Sequence, residues 1–249
     1  MRLITIAISH YCEKARWALE RGGLSYREEP HAPVLHFRHS KGAGGGDSVP
    51  VLCTGDAVLA DSTDILRWVD GRASLGLYPN AEALELEEFF DDTLGPHVRR
   101  LAYRYVLEDS ALTRRVLTTG TSRGERWAYR AMQPLITFVM RKSMNITPAS
   151  AERSHAKVVE AFDRADALLA DGRRWLTGDR FSAADLTFAA LGAPVIGPEN
   201  YGPQGIDLPA PSTLPAAFQE VVRPLRERPA GRHIARLYAE ERRPTPARV

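Results

Sequence analysis

The spacing of apolar and polar positions changes period along the chain, and that change divides it. Leu3, Ile4, Thr5, Ile6 and Ile8 form a short β-rich run, which predicts a buried strand over Arg2 to Ile8. Ser9 and His10 follow as a turn. From Tyr11 the sequence YCEKARWALERGG puts Ala15, Ala18 and Leu19 on one apolar helical face, ended by Gly22 and Gly23. LSYREEP is short enough for a second strand, closed by Pro30 and Pro33. The stretch from His36 to Ser48 is polar and glycine-rich and reads as mostly loop; one more short helix fits there, although the composition does not show it. Val49 to Cys53 and Ala57 to Leu59 flank Thr54-Gly55-Asp56, a hairpin signal, and Ser62 then opens a helix carrying Ile65, Leu66 and Val69. A strand-helix-strand unit of this length implies a parallel pair and the hairpin adds antiparallel strands, so the predicted sheet is small and mixed.

From about Ala81 the strand signals almost vanish. AEALELEEFFDDTLGPHVRRLAYRYVLE reads as a long helix kinked at Pro96. GERWAYRAMQPLITFVMRKSMN is a second, in which Trp127, Tyr129, Phe138 and Met140 read as helix packing. ASAERSHAKVVEAFDRADALLADGR is a third, with Val158, Phe162, Ala165 and Leu169 at helical spacing, and FSAADLTFAALGAP is a fourth. Ser182-Ala-Ala-Asp185 has capping-box spacing and reads as structural. The tail supplies one or two more helices, broken by Pro224 and Pro229. The expected organisation is an α/β domain over residues 1–78 and an all-helical domain over 84–249, with Leu77-Tyr78-Pro79-Asn80 as linker.

Composition narrows the classes. Charge is nearly balanced, 33 Lys+Arg against 31 Asp+Glu, and the arginines are spread over many helices, so neither nucleic acid nor an anionic membrane is expected as partner. Two cysteines, Cys12 and Cys53, do not make a disulfide framework and suit a reducing compartment. The N-terminus lacks signal-peptide character, and the longest apolar run, Leu186 to Gly197, is interrupted by Pro194 and is too short to span a bilayer. A cytoplasmic protein is the expectation.

Candidate chemistry gathers where strands end. Ser9-His10-Tyr11-Cys12 closes a strand and opens a helix, where free backbone N–H groups and the helix dipole favour an anion. A thiolate held there is stabilised, and Ser9 can donate a hydroxyl hydrogen bond to it. Cys12, about one turn inside, can contribute weakly or act as a nucleophile itself. The same residues also fit plain structure, with Ser9 as N-cap and Cys12 as a small buried side chain. Val49-Pro50 opens a strand at a proline that can be cis, though trans is the default. Asp61-Ser62 is a second helix N-terminus with a carboxylate and a hydroxyl, suited to an amino-acid-like ligand or simply to capping. His31, His36 and His39 lack zinc-type spacing, so no metal is expected. GAGGGDS lacks the ending of a phosphate loop.

Taken in order, these features resemble the glutathione-transferase superfamily over most of the chain. SHYCEKARWALE is similar to the family's strand-to-helix motif, in which a Ser, Cys or Tyr activates the glutathione sulfur, and it most resembles the serine-type, zeta-like classes. The resemblance implies a thioredoxin-like N-terminal domain of β-α-β-α-β-β-α type with a four-stranded mixed sheet, followed by an all-α domain. It implies Ser9 as the thiolate-stabilising residue, Val49 and Pro50 as the cis-proline strand that pairs with the tripeptide backbone, and Asp61 and Ser62 as anchors of the γ-glutamyl end. Lys41 is the candidate for the glycine carboxylate. His10, Tyr11, Tyr103 and Arg104 are candidates for the second-substrate pocket, and the long segment from Tyr105 to Ala151 suggests that this pocket is unusual. Ser9 in place of a cysteine excludes a Cys-x-x-Cys dithiol mechanism. The implied function is a transferase that turns a glutathione thiolate on a small electrophile, by conjugation or by isomerisation. The alternatives are a non-catalytic binding or partner-interaction module of the same fold, or a thiol-disulfide oxidoreductase acting through Cys12. Glutathione is the implied co-substrate and a homodimer the implied assembly.

Overall fold

A computed structural model describes residues 1–206 and 208–242. The N-terminal part runs β1 (Arg2–Thr5), α1 (His10–Arg21), β2 (Arg27–Pro30), α2 (His36–Gly42), β3 (Val51–Cys53), β4 (Val58–Leu59) and α3 (Ser62–Ala73). The sheet order is β2-β1-β3-β4, with β1 and β2 parallel and the other pairs antiparallel. Leu3 stands opposite Glu28 on one side and Leu52 on the other. Leu3, Leu52, Ala15, Ala18 and Leu19 are all buried in one core with Ile65, Leu66 and Val69 of α3. This is the expected β-α-β-α-β-β-α thioredoxin-like arrangement.

The stretch read as mostly loop is in part a helix. Residues His36–Gly42 form α2, although no side chain caps its N-terminus. Tertiary contacts hold it instead: His36 and Ser40, four residues apart, are buried, and Ser40 Oγ donates to the Gly46 carbonyl at 2.8 Å. Composition misses this helix because its support comes from outside the helix.

The remainder is helical: α4 (Ala81–Phe89), α5 (Gly95–Val106), α6 (Ser110–Leu117), α7 (Arg123–Ser143), α8 (Pro148–Leu169), α9 (Ala183–Ile196), α10 (Ala216–Glu227) and α11 (Pro229–Glu240). Between α4 and α5 the chain does not kink at Pro96 alone. A π-helical stretch, Phe90–Leu94, precedes Gly95 and Pro96 and re-registers the helix. Helix α10 runs through Pro224, and the break falls at Pro229, the first residue of α11. The last residues of the expected second domain, 243–249, lie outside the described residues. Among the described residues no helix is long and apolar enough to cross a membrane.

Helix α9 has no polar face, and it is buried almost throughout, packed on α1, α4, α5 and α11. Helix α7 is the opposite. Tyr129, Ile136 and Met140 face inward, whereas Trp127 is 70% exposed and Phe138 61%. Trp127 and Phe138 are three turns apart on the outer face, so helix packing accounts for only two of the four large side chains singled out there.

Two buried ionic networks lock α1 to the helical part. Lys14 Nζ is held by Glu87, by Asp91 at 2.6 Å and by Thr63 at 2.8 Å. Glu13 accepts from Arg16 at 3.2 Å and from Arg242 at 2.9 Å. Such pairs add little net stability over an apolar core, but removing one partner strands a buried charge, so they fix how α1 sits against its neighbours.

Candidate functional site

A cavity of about 780 Å³ opens at the N-terminus of α1, between the α/β part and helices α5, α7, α9 and α10. Ser9, His10 and Tyr11 line it from α1, His36, Asp47, Ser48 and Val49 from the segments between β2 and β3, and Arg99, Ala102, Tyr103 and Val106 from α5. Val116, Val139, Met140 and Met144 close it from α6, α7 and the residue that ends α7, so the long segment after Tyr105 does contribute to its wall. Its lining is mainly apolar, with polar groups contributed from both the α/β and the helical side.

Ser9 has the extended backbone of an N-cap, and its Oγ accepts from the Cys12 N–H at 3.4 Å. That bond is long for a cap. It uses an oxygen lone pair, leaving the hydroxyl proton to turn between the Cys12 sulfur and the cavity. The capping and thiol-binding readings of Ser9 are therefore compatible.

The neighbouring side chains are tied down. His10 Nε2 lies 3.1 Å from the Gly95 carbonyl, which fixes that nitrogen as the donor. Burial, reinforced by the Arg99 charge, pushes the His10 pKa down to about 3, so the imidazole is neutral. The Tyr11 hydroxyl donates to the Asp91 carbonyl at 3.0 Å, and burial, then Asp91, raises its pKa. The Tyr11 placement depends on Gly95: a Cβ there would lie 2.2 Å from the Tyr11 hydroxyl oxygen. Cys12 is fully buried and does not line the cavity. Burial pushes its thiol up to about 11, against the opposing pull of Arg16 and of a hydrogen bond from Ser9. A thiol in that state is a poor nucleophile.

The Val49–Pro50 peptide is cis, against the default for a proline read from the residues alone. Val49 lies just before β3, outside the ladder that begins at Val51, and lines the cavity. Asp61 is the N-cap of α3 and accepts from the Thr63 and Asp64 N–H groups at 2.7 and 3.3 Å. Ser62 is buried at the first position of that helix. Neither Asp61 nor Ser62 is among the residues lining the cavity. Lys41, exposed in the last turn of α2, pairs with Asp47 at 2.6 Å and also stands away from the cavity wall. Tyr103 is on the wall, while Arg104, one residue on, turns out to pair with Glu108.

Sequence reasoning missed Arg99. The spacing Arg99, Ala102, Tyr103, Val106 is a single helical face, and that periodicity selects Arg99 rather than Arg104 as the charged partner of Tyr103. Tyr201, whose hydroxyl bonds to the Ile8 carbonyl, was also missed; the two are far apart in the chain and no local signal links them.

A four-stranded thioredoxin-like sheet with a cis proline before β3, packed through α1 on an all-helical region, defines a two-domain class of thiol-handling proteins. The comparisons agree. Residues 3–76 match the family model described as "Glutathione S-transferase, N-terminal domain", and residues 148–196 match "Glutathione S-transferase, C-terminal domain". The chain belongs to the glutathione-transferase superfamily. No curated protein matches it in sequence. Among solved structures it is similar to a glutathione S-transferase from Xanthobacter autotrophicus Py2, with TM-score 0.61, 16% identity, and 96% of this chain and 92% of that one covered. It is similar to a beta-etherase from Sphingobium sp. strain SYK-6, with TM-score 0.58, 16% identity and coverage of 94% and 97%. A theta class glutathione S-transferase from Xanthomonas axonopodis pv. citri, solved with glutathione bound, has TM-score 0.55, 20% identity and coverage of 94% and 96%. At these identities the likeness is one of fold.

Proposed function

We propose that the protein is a glutathione-dependent transferase in which Ser9 stabilises the glutathione thiolate at the N-terminus of α1. One observation carries the reading: the Ser9 hydroxyl lies on the cavity wall at a helix N-terminus, with its proton uncommitted to the cap. Of the three side chains in that motif able to serve a thiolate, Tyr11 already donates to Asp91 and Cys12 is buried with a raised pKa. This supports Ser9, and it counts against disulfide chemistry through Cys12. Val49 offers main-chain groups outside the sheet ladder to the tripeptide, and the N-terminus of α3 at Asp61 and Ser62 suits its γ-glutamyl end. A homodimer acting in the cytoplasm belongs to the same proposal and rests on family membership.

The chemistry follows from the wall. The helix dipole and the Ser9 O–H lower the thiol pKa, so the sulfur is an anion at neutral pH. On an aryl halide the thiolate forms an S–C bond, and halide departs with the electron pair of the broken carbon–halogen bond. On an enone the sulfur bonds to the β-carbon, the π pair moves to the carbonyl as an enolate, and water returns a proton to the α-carbon.

The test is turnover of glutathione with 1-chloro-2,4-dinitrobenzene. Ser9→Ala is expected to lower kcat/KM by roughly 100-fold, the scale for losing one preorganised donor to a developing or resident anion. The ultraviolet thiolate band of bound glutathione should weaken with it. Wild-type protein that neither binds glutathione nor turns over sinks the reading, and so does a Ser9→Ala variant with full rate. Loss of activity in Cys12→Ala but not in Ser9→Ala would hand the chemistry to Cys12.

A further inference from the structure

The cavity contains one cation with nothing to hold. Arg99 lines it from α5, and among the described residues Arg99 has neither a hydrogen bond nor an ion pair; its guanidinium carbon stands 6.0 Å from the Tyr11 ring centroid. Its neighbours differ. Arg100 donates to the Met144 carbonyl at 2.9 Å and to Ser154 at 2.9 Å, and Arg104 pairs with Glu108. The two carboxylates on the cavity wall do not serve Arg99: Asp47 pairs with Lys41, and Glu199 is exposed with no ion pair to it. Around Arg99 the α5 face is completed by Ala102, Tyr103 and Val106, and Val116 and Met140 join Tyr103 and Val106 in one apolar cluster. The Arg99 charge reaches the α1 side of the cavity, since it depresses His10 and opposes the burial shift of Tyr11.

A lone guanidinium among apolar side chains is a two-point receptor for a planar anion, and low polarity around it strengthens the attraction. We propose that Arg99 determines specificity by binding a carboxylate carried on an apolar electrophile. This rests on the transferase reading above and names the class of its second substrate. Glutathione also carries carboxylates, but its proposed anchors lie on the α/β side, whereas Arg99 projects from the helical side next to Tyr103.

Ethacrynic acid, an aryl enone bearing a carboxylate, and its methyl ester form a matched pair. Wild-type kcat/KM with glutathione is expected to favour the acid by about tenfold or more, and Arg99→Gln should reduce that acid-to-ester ratio by about tenfold, with Arg99→Lys in between. A wild-type ratio near one overturns the proposal. An unchanged ratio with a raised KM for glutathione also overturns it, because the carboxylate held would then be that of glutathione. A second readout needs no turnover: fluorescence titration with 1-anilinonaphthalene-8-sulfonate and with neutral N-phenyl-1-naphthylamine. Arg99→Gln should weaken the anionic probe about tenfold relative to the neutral one; equal effects on both probes overturn the proposal even if the transferase reading stands. If neither enone is turned over but the probe ratio falls, the anion site survives and the transferase reading fails.

Discussion

Helices α1 and α9 both begin at a serine, yet one of these N-termini faces a cavity and the other is sealed in the core. At α9, Asp185 reaches back to the Ser182 N–H at 3.1 Å and to the Ser182 hydroxyl at 2.9 Å, and it also accepts from the Leu176 N–H at 2.9 Å and contacts His233 at 3.1 Å. The Ser182 hydroxyl and the Asp185 carboxylate are both spent on their neighbours. At α1, the position that would carry the reciprocal carboxylate is Cys12, so Ser9 receives one long bond and its hydroxyl meets only the Cys12 thiol and the cavity. The contrast separates a structural cap from a site by what occupies the third helical position: a carboxylate closes the N-terminus, and a thiol or apolar residue leaves it open.

The sharpest way to break this contrast is Asp185→Ala. It strips partners from Leu176, Ser182 and His233 inside the core, and a loss of about 3–5 kcal/mol is expected in urea unfolding at unchanged m. A loss below about 1 kcal/mol would mean that the α9 terminus is not sealed after all.

His10 tests the α1 side through pH. Its folded pKa of about 3 lies below the unfolded value near 6.5, so below that pH the unfolded chain binds a proton that the folded chain refuses. Its stabilising contribution is therefore complete above about pH 6.5 and is lost on acidification toward pH 3, by about 1.4 kcal/mol per unit. Urea midpoints from roughly pH 7 to pH 5 should show this slope in the wild type, and His10→Gln, which keeps a donor for Gly95, should flatten it. Equal slopes would place His10 in solvent contact.

Ser182→Ala is expected to cost about 1 kcal/mol, the usual worth of a cap. The smallest effect on stability belongs to Ser9→Ala, under about 0.5 kcal/mol in the same assay because its cap bond is so long, although this variant carries the large kinetic loss predicted above. Should Ser9→Ala destabilise as much as Ser182→Ala with no change in rate, Ser9 would be a cap and nothing more.

Part of the candidate site could be read locally. Ser9 and Val49, which line the cavity, and Pro50, Asp61 and Ser62, which do not, all sit at strand ends and helix starts, which punctuation and period reveal without tertiary information. Arg99 could have been found from the α5 period, since it shares a face with Tyr103 while Arg104 does not. The isomer at Pro50 was not readable from its own residues, because an X-Pro bond differs little in energy between forms and its surroundings choose. Helix α2 was hidden for a similar reason, as its support is the burial of His36 and Ser40 rather than propensity.

By itself, the order of periods determined a mixed α/β unit followed by helices, because apolar spacing dictates which face each element must bury. It also marked the helix starts at Ser9 and Ser182. Only the folded chain decided which of them would be used. Asp185 meets Leu176 and His233 through packing that joins residues up to 48 positions apart, and the cavity beside Ser9 exists because α5, α6 and α7 stand off from α1 there. The residue at the third helical position marks locally whether the cap closes on itself, but whether the hydroxyl then meets a cavity depends on what the rest of the chain brings against it.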